Sequence, residues 1–283
     1  MIVGLVALYM PKADEVNNIS KYIDKLDYCY LLDDSATNNQ KIIEPLIKRW
    51  PKKVEYHLNH KNIGLCRSVN NGFKMAIDRG ADWVLVMNPD GTFANDSISI
   101  YKKYIETHET SEIGIICPQY NVDRHPRKSK DGVKLVKFPD MTGCLYNVNI
   151  LKRIGYFDIN TYFYGLDTEF CLRIRKEGYK ILQCSEAVLN HNPGKTYVVK
   201  LLGKSIFKCG IDNPQRYYYQ FRSAYYICQK YHSLYCFTFH VYKFLKVLFL
   251  FKNKVDYCKM IFMGIKDARK KFYGNIKDRK LDD

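Results

Sequence analysis

Residues 83–90 read Trp83-Val84-Leu85-Val86-Met87-Asn88-Pro89-Asp90. Five apolar residues without alternation, then an abrupt polar end, describe a strand covered on both faces. Four other runs have that form: residues 2–10, 28–34, 54–59 and 113–120. Between them, residues 13–26, 38–49, 65–79 and 96–109 place apolar side chains at helical spacing. Single strands alternating with single helices predict a mostly parallel α/β sheet with right-handed crossovers. Ligands of such sheets bind at the carboxyl ends of the strands. Asp33, Asp34, Asn88 and Asp90 all fall at those ends.

Beyond the fifth strand the texture changes. Residues 121–140 are polar, basic and turn-rich, and read as a mobile loop entering a short strand. Residues 141–149 read as a strand, 155–167 as an aromatic loop, and 167–177 as a helix closed by Gly178. Residues 179–191 return as a strand, and beyond Pro214 three helices are expected near 215–231, 233–251 and 255–272. The division this suggests is an α/β domain over 1–212 and a helical region over 213–283. Within the first, the texture separates residues 1–120 from residues 121–212.

The 283 residues carry 45 Lys and Arg against 29 Asp and Glu, a net charge of +16. That excess raises the question of a polyanionic partner. It is unevenly spread: residues 1–195 hold 27 basic and 23 acidic side chains, residues 196–283 hold 18 and 6. A basic tail on a balanced domain is not a nucleic-acid-binding fold, and no recognition motif accompanies it. Residues 231–251 approach the length of a membrane span, but His240, Lys243 and Lys246 interrupt them. Two readings stay open: a helix docked on an anionic membrane surface, or a packing helix with solvated lysines. The ten cysteines form no C-x-x-C pair and no zinc spacing, so buried free thiols are expected. The N-terminus reads as a first strand, not a signal peptide.

Each polar cluster has a plain alternative. Asp33-Asp34-Ser35 could meet a ribose or a base, or only form a turn. Asn62 and Gly64 open a helix that carries Asn70, where a glycine admits close backbone approach and the helix terminus attracts phosphate. Arg67 could add an anion contact or be a solvated charge. Asn88-Pro89-Asp90 could hold a hard divalent cation against a diphosphate, or be a turn. Asp167 opens a helix, where a carboxylate is either a cap or an ionised general base. His191, in Asn190-His191-Asn192-Pro193-Gly194-Lys195-Thr196, is a metal ligand or a structural histidine.

Taken in order, these motifs resemble the family 2 glycosyltransferases of GT-A fold, nearest the bacterial rhamnosyltransferase-like enzymes. The match rests on Asp33-Asp34-Ser35, on Asn62, Gly64, Asn70 and Gly72, on Asn88-Pro89-Asp90, and on Gly143-Cys144-Leu145. It continues through Gly155-Tyr156-Phe157-Asp158, through Leu166-Asp167-Thr168-Glu169-Phe170-Cys171-Leu172-Arg173, and through His191. Residues 217–223 and 264–274 extend it to the tail.

The resemblance implies inverting transfer from a nucleotide-sugar, dTDP-rhamnose first, UDP-hexose or UDP-galactofuranose second. The acceptor would be a saccharide, lipid-linked, in bacterial capsule or O-antigen synthesis at the inner membrane face. Residues 1–212 would be the catalytic domain, with residues 1–120 taking the donor and residues 121–212 the acceptor and the base. Asp33, Asp34, Asn62, Gly64, Asn70, Asn88 and Asp90 would bind the donor. Asp90 and His191 would hold Mg²⁺ or Mn²⁺, and Asp167 would be the base. Gly143, Glu169, Arg173 and Arg222 would contact acceptor or phosphate. Asn88 and Leu166 stand where relatives carry acidic residues. A non-catalytic nucleotide-sugar binder would have lost a ligand or the base; Asp90, Asp167 and His191 are all present.

Overall fold

A computed structural model describes residues 1–124, 126, 132–201 and 204–279. Its strands are β1 Ile2–Leu8, β2 Tyr28–Asp33, β3 Val54–Leu58, β4 Trp83–Met87, β5 Thr92–Phe93, β6 Ile113–Asn121, β7 Val133–Leu135, β8 Cys144–Asn147, β9 Lys180–Asn190, β10 Lys195–Leu201 and β11 Lys204–Ile211. Its helices are α1 Ala13–Ser20, α2 Gln40–Arg49, α3 Leu65–Asp78, α4 Ser97–Thr107, α5 Val148–Ile154, α6 Leu166–Lys176, α7 Pro214–Tyr231, α8 Leu234–Leu250 and α9 Lys254–Arg269.

Nine strands make one sheet in the order β3-β2-β1-β4-β8-β6-β9-β5, with β7 on the flank of β9. β3, β2, β1 and β4 run parallel, and so do β6 and β9. β8 enters antiparallel between β4 and β6. The sheet is therefore mixed at its centre, which the alternation of strands and helices did not reveal. Leu5, Val84 and Val86 face one core with Cys66, Val69 and Phe73 of α3. Leu85, Met87 and Leu31 face the other, with Ile19 and Tyr101 from α1 and α4. Burial on both faces is why these strands lack alternation. Each such apolar side chain contributes about 1.5–3 kcal/mol.

Several expectations change. The helix expected over 13–26 is α1 and a separate 3₁₀ turn at Ile23–Lys25. Of the strand expected over 141–149, only β8 is extended, and Asn147 caps α5 directly behind it. Residues 125 and 127–131 of the basic loop lie outside the described residues, and β7 follows them. β10 and β11 form an antiparallel hairpin that the sequence reading did not place. All ten cysteines are free, and eight are buried.

Helix α8 departs most. Cys236, His240, Lys243 and Val247, at spacing i, i+4, i+7 and i+11, turn toward the protein. Lys246 is buried and donates to the Gly210 carbonyl at 2.6 Å. Lys243 donates to Gln220 Oε1 at 2.8 Å. The lysines expected in solvent are thus bonded inward. Among the described residues, no helix is long and apolar enough to cross a membrane.

Candidate active site

The first parallel strands bring their carboxyl ends to one edge of the sheet. Asp33, last in β2, is fully buried. It accepts from Ser35 N at 3.0 Å, Asn39 Nδ2 at 2.8 Å and Tyr56 OH at 2.7 Å, and from the Ser35 hydroxyl. These bonds hold the turn between β2 and α2 closed. Asp34 accepts from Ile63 N and Gly64 N, each at 3.0 Å, and so pins the loop entering α3. Burial raises its carboxyl above the usual range, against those donors.

That loop is held again from its far side. Asn62 Oδ1 accepts from Gly64 N at 3.1 Å and from Tyr162 OH at 2.9 Å. Gly64 sits at φ 92°, and a Cβ there would lie 2.5 Å from the Tyr162 ring. No L side chain fits that backbone and that contact together. Asn70, on α3, donates to Phe157 O at 2.8 Å and accepts from Phe157 N at 3.0 Å. Asn62, Gly64 and Asn70 therefore join the first half of the sheet to the aromatic loop that delivers α6.

At the end of β4, Asn88 N donates to Thr142 Oγ1 at 2.6 Å, and Gly91 N donates to Asn88 O at 3.2 Å. This turn projects Asp90 into solvent, with its side chain 57% exposed. Oδ1 of Asp90 lies 3.5 Å from Nδ1 of His191, which follows β9. The imidazole is buried, yet its Nδ1 has no hydrogen-bond partner. A buried polar atom left unpaired is costly, and here it is aimed at a carboxylate. Such a nitrogen beside an exposed carboxylate fits a divalent cation that also takes oxygens from a diphosphate. Among the described residues, no three His, Cys, Asp or Glu side chains gather as a closed metal cage.

Asp140 adds a carboxylate that sequence reading missed. It lies just before Gly143 in the crossing to β8, and its Oδ1 accepts from Thr142 N at 2.9 Å. Burial pushes its carboxyl up; His191 lowers it and Asp90 raises it. One Pro-Asp at the end of a basic loop looks like any turn, so its only sequence signal was its place before a strand. Gly143, at φ 79°, donates its N–H to Val86 O at 2.8 Å and accepts from Tyr101 OH at 3.0 Å. Its backbone is occupied by the sheet.

Asp167 stands in the first turn of α6, after Gly165 in the left-handed region. Its Oδ1 accepts from Thr168 N at 2.7 Å. Burial pushes its carboxyl up to about 6, with the charge of Asp140 adding to the rise. A carboxylate tuned toward neutrality suits proton abstraction. Asp140 thus feels both ends of the site, His191 with Asp90 on one side and Asp167 on the other.

The remaining candidates bond to neighbouring elements. Glu169 is fully buried, 2.8 Å from Arg173 Nη2 and 2.9 Å from Lys230 Nζ. Arg173 also donates to the Ile154 and Tyr156 carbonyls, each at 2.6 Å. Together they lock α6 to α7. Arg222 is fully buried on α7, bonded to Gly274 O at 2.7 Å and Tyr273 O at 3.1 Å, with the Tyr218 and Tyr219 rings beside it. The bonds these three make run within the protein, to side chains and carbonyls of neighbouring elements. Arg67 lines a cavity of about 940 Å³ with Lys61, Asn62, Asn70, Lys74 and Lys271, and neither Asp90 nor Asp167 is in its lining.

Comparison with known proteins follows this geometry. The model of the family described as Glycosyl transferase family 2 matches residues 15–169. The chain is similar to the dTDP-rhamnosyl transferase RfbF of Shigella flexneri, 21% identical over 94% of this chain and 95% of that protein. It is also similar to the low-salt glycan biosynthesis hexosyltransferase Agl10 of Haloferax volcanii, 19% identical over 67% of this chain and 66% of that protein. Among solved structures, it superposes on GalNAc-T7 with UDP, GalNAc and Mn²⁺ at a TM-score of 0.63 and 12% identity. That likeness, which concerns the fold, covers 95% of this chain, and the chain spans 56% of that structure.

Proposed function

Since this chain belongs to glycosyltransferase family 2 and has a GT-A-like fold, we propose that it is an inverting enzyme using dTDP-rhamnose. The observation that carries the reading is the line of polar groups from Asp90 and His191 through Asp140 to Asp167. This line supports taking the Asp90–His191 end as the diphosphate end and Asp167 as the base end of one site. The choice of donor is supported by the rhamnosyl transferase matched over nearly the whole chain. The hexosyltransferase relative favours a second reading, a UDP-hexose or UDP-galactofuranose donor in the same cleft.

Asp167 takes the proton of the acceptor hydroxyl, which attacks the anomeric carbon opposite the leaving nucleoside diphosphate. With its carboxyl near 6, Asp167 is mostly ionised at pH 7 and still basic enough to accept that proton. Asp90 and His191 would hold Mg²⁺ or Mn²⁺, which neutralises charge gathering on the leaving group. Asp33 and Asp34 order the turns that floor the nucleotide pocket. Asn62, Gly64 and Asn70 fix the aromatic loop against that floor, so the donor and base halves hold one spacing.

We assign catalysis to residues 1–212 and attachment to residues 213–283. The acceptor is a saccharide, lipid-linked, and the product belongs to a bacterial surface polysaccharide. The enzyme acts peripherally at the inner membrane face.

The test is a thermal-shift panel of dTDP-rhamnose, UDP-hexoses and UDP-galactofuranose, each with and without Mn²⁺. A ligand at 100 times its Kd adds about 2.7 kcal/mol of stability. The reading expects the largest shift with dTDP-rhamnose plus Mn²⁺. A larger shift with a uridine donor moves the assignment to the second reading.

A further inference from the structure

Helix α8 is built inside out. Its inward stripe carries His240, Lys243 and the buried Lys246. Its outward face carries Leu234 at 73% exposure, Phe237 at 59%, Val241 at 42%, Leu245 at 44% and Phe249 at 77%. These five recur every three or four residues, so they form one stripe along a helix of about 25 Å. On α9, Phe262 is 60% exposed, and its ring lies 6.2 Å from that of Phe244. The apolar face therefore runs from one helix to the next. Scattered exposed apolar residues need no explanation; a continuous face of this kind does.

The inward polar groups are tied down. Lys246 bonds to Gly210 O, Lys243 to Gln220, and His240 Nδ1 lies 2.5 Å from the Cys236 carbonyl. Burial lowers the Lys243 ammonium to about 8 and the His240 imidazole to about 4. Rolling the helix over would break the bonds of Lys246 and Lys243, which reach β11 and α7. The outward apolar face is thus the bonded arrangement, and among the described residues it stays exposed.

We propose that the α8–α9 face is a membrane-docking surface, with α8 lying flat in the interface of an anionic bilayer. The charges around the face choose that occupant. Lys252, Lys254, Lys259 and Lys266 are exposed beside it, with Asp256 the only acidic residue among residues 234–266. Two copies joined through this face would set those lysines against one another, whereas an anionic leaflet neutralises them. The apolar side chains then enter the acyl boundary.

The face also begins beside the cleft. The Tyr235 ring stacks on Phe138, with centroids 4.3 Å apart and planes 7° apart, two residues before Asp140. Docking through α8 holds the Asp140–Asp167 side of the cleft close to the bilayer. An acceptor carried on a lipid reaches the base from there. That consequence for the acceptor rests on the transferase reading above; the docking does not.

The test is flotation of the full chain with vesicles of one part phosphatidylglycerol to three parts phosphatidylethanolamine. The comparison is with a variant carrying Phe237→Ser, Leu245→Ser and Phe249→Ser. Calorimetric dTDP binding reports whether each protein is folded and whether the donor site works. The expected result is that the wild-type chain floats and the triple variant partitions at least tenfold less, with dTDP binding unchanged. Equal flotation of the two overturns the proposal. So does a wild-type chain that ignores vesicles, including one that sediments as a dimer the triple variant dissolves. If the triple variant loses dTDP binding, Phe237→Ser and Phe249→Ser are floated singly; flotation equal to wild type for both overturns the proposal. A wild-type chain that floats but binds no dTDP sinks the donor assignment and leaves the docking supported.

Discussion

Nδ1 of His191 lies 3.5 Å from Oδ1 of Asp90, buried and without a hydrogen bond. One partner is rigid behind β9 and the other stands in solvent on the turn after β4. The proposed cation, with the donor's diphosphate, would be the third member of this pair. His191→Ala is therefore expected to weaken Mn²⁺-dependent dTDP-rhamnose binding by about tenfold or more, while metal-free binding changes little. Calorimetric titration with and without Mn²⁺ measures both. Equal loss in the two conditions would place His191 in the fold and not at the metal.

Asp167→Asn removes the proposed base and keeps the shape. Transfer is expected to fall by about 10²–10⁴-fold. Donor binding stays near that of the wild type. Radiolabelled sugar transfer measures the first and calorimetry the second. A variant that turned over normally would move the base elsewhere.

The pH dependence carries a sign. The Asp167 carboxyl is raised in the folded state to about 6 from an ordinary value of 3.8. Folding therefore favours its protonated form, and the ionised form costs stability. The cost is absent below about pH 4 and complete above about pH 6, on the order of 1–3 kcal/mol. Asp167→Asn should raise Tm at pH 7.5, and the gain should narrow toward pH 4. The same ionisation predicts that kcat drops as pH falls through about 6. A gain in Tm that did not vary with pH would contradict this account.

Arg222→Met leaves two carbonyls and a tyrosine ring system without their cation. Breaking a buried charged network of this kind costs about 3–5 kcal/mol. Denaturant unfolding should show that loss, with dTDP affinity intact in the folded fraction. A selective loss of donor or acceptor binding at full stability would restore the phosphate-contact expectation.

Gly64→Ala meets both a positive φ and the Tyr162 ring. The expected cost is about 1–3 kcal/mol in stability. It should be accompanied by weaker donor binding, because the same loop is held by Asp34 and Asn62. Paired unfolding and calorimetry test the link. Unchanged donor binding would separate the loop from the nucleotide pocket.

What the sequence determined by itself was local or ordered. Apolar runs such as 83–87 report burial on both faces, because a strand covered on two sides cannot alternate. The order of short motifs from Asp33 to His191 carried the family, and Asp90, Asp167 and His191 were legible as candidates within it. Only the tertiary structure decided how those residues are used. Asn62 and Asn70 became a clamp on the aromatic loop, and the buried Glu169 and Arg222 and the part-buried Arg173 became struts. Each depends on a partner about 4 to 100 positions away. Asp140 gained meaning only from the charges the sheet brings around it. On α8, composition showed lysines among aromatics, but not which side faced inward. That depends on acceptors at Gly210 and Gln220, which the chain reaches only after folding. Periodicity describes a helix face; the neighbour that satisfies it is a long-range fact.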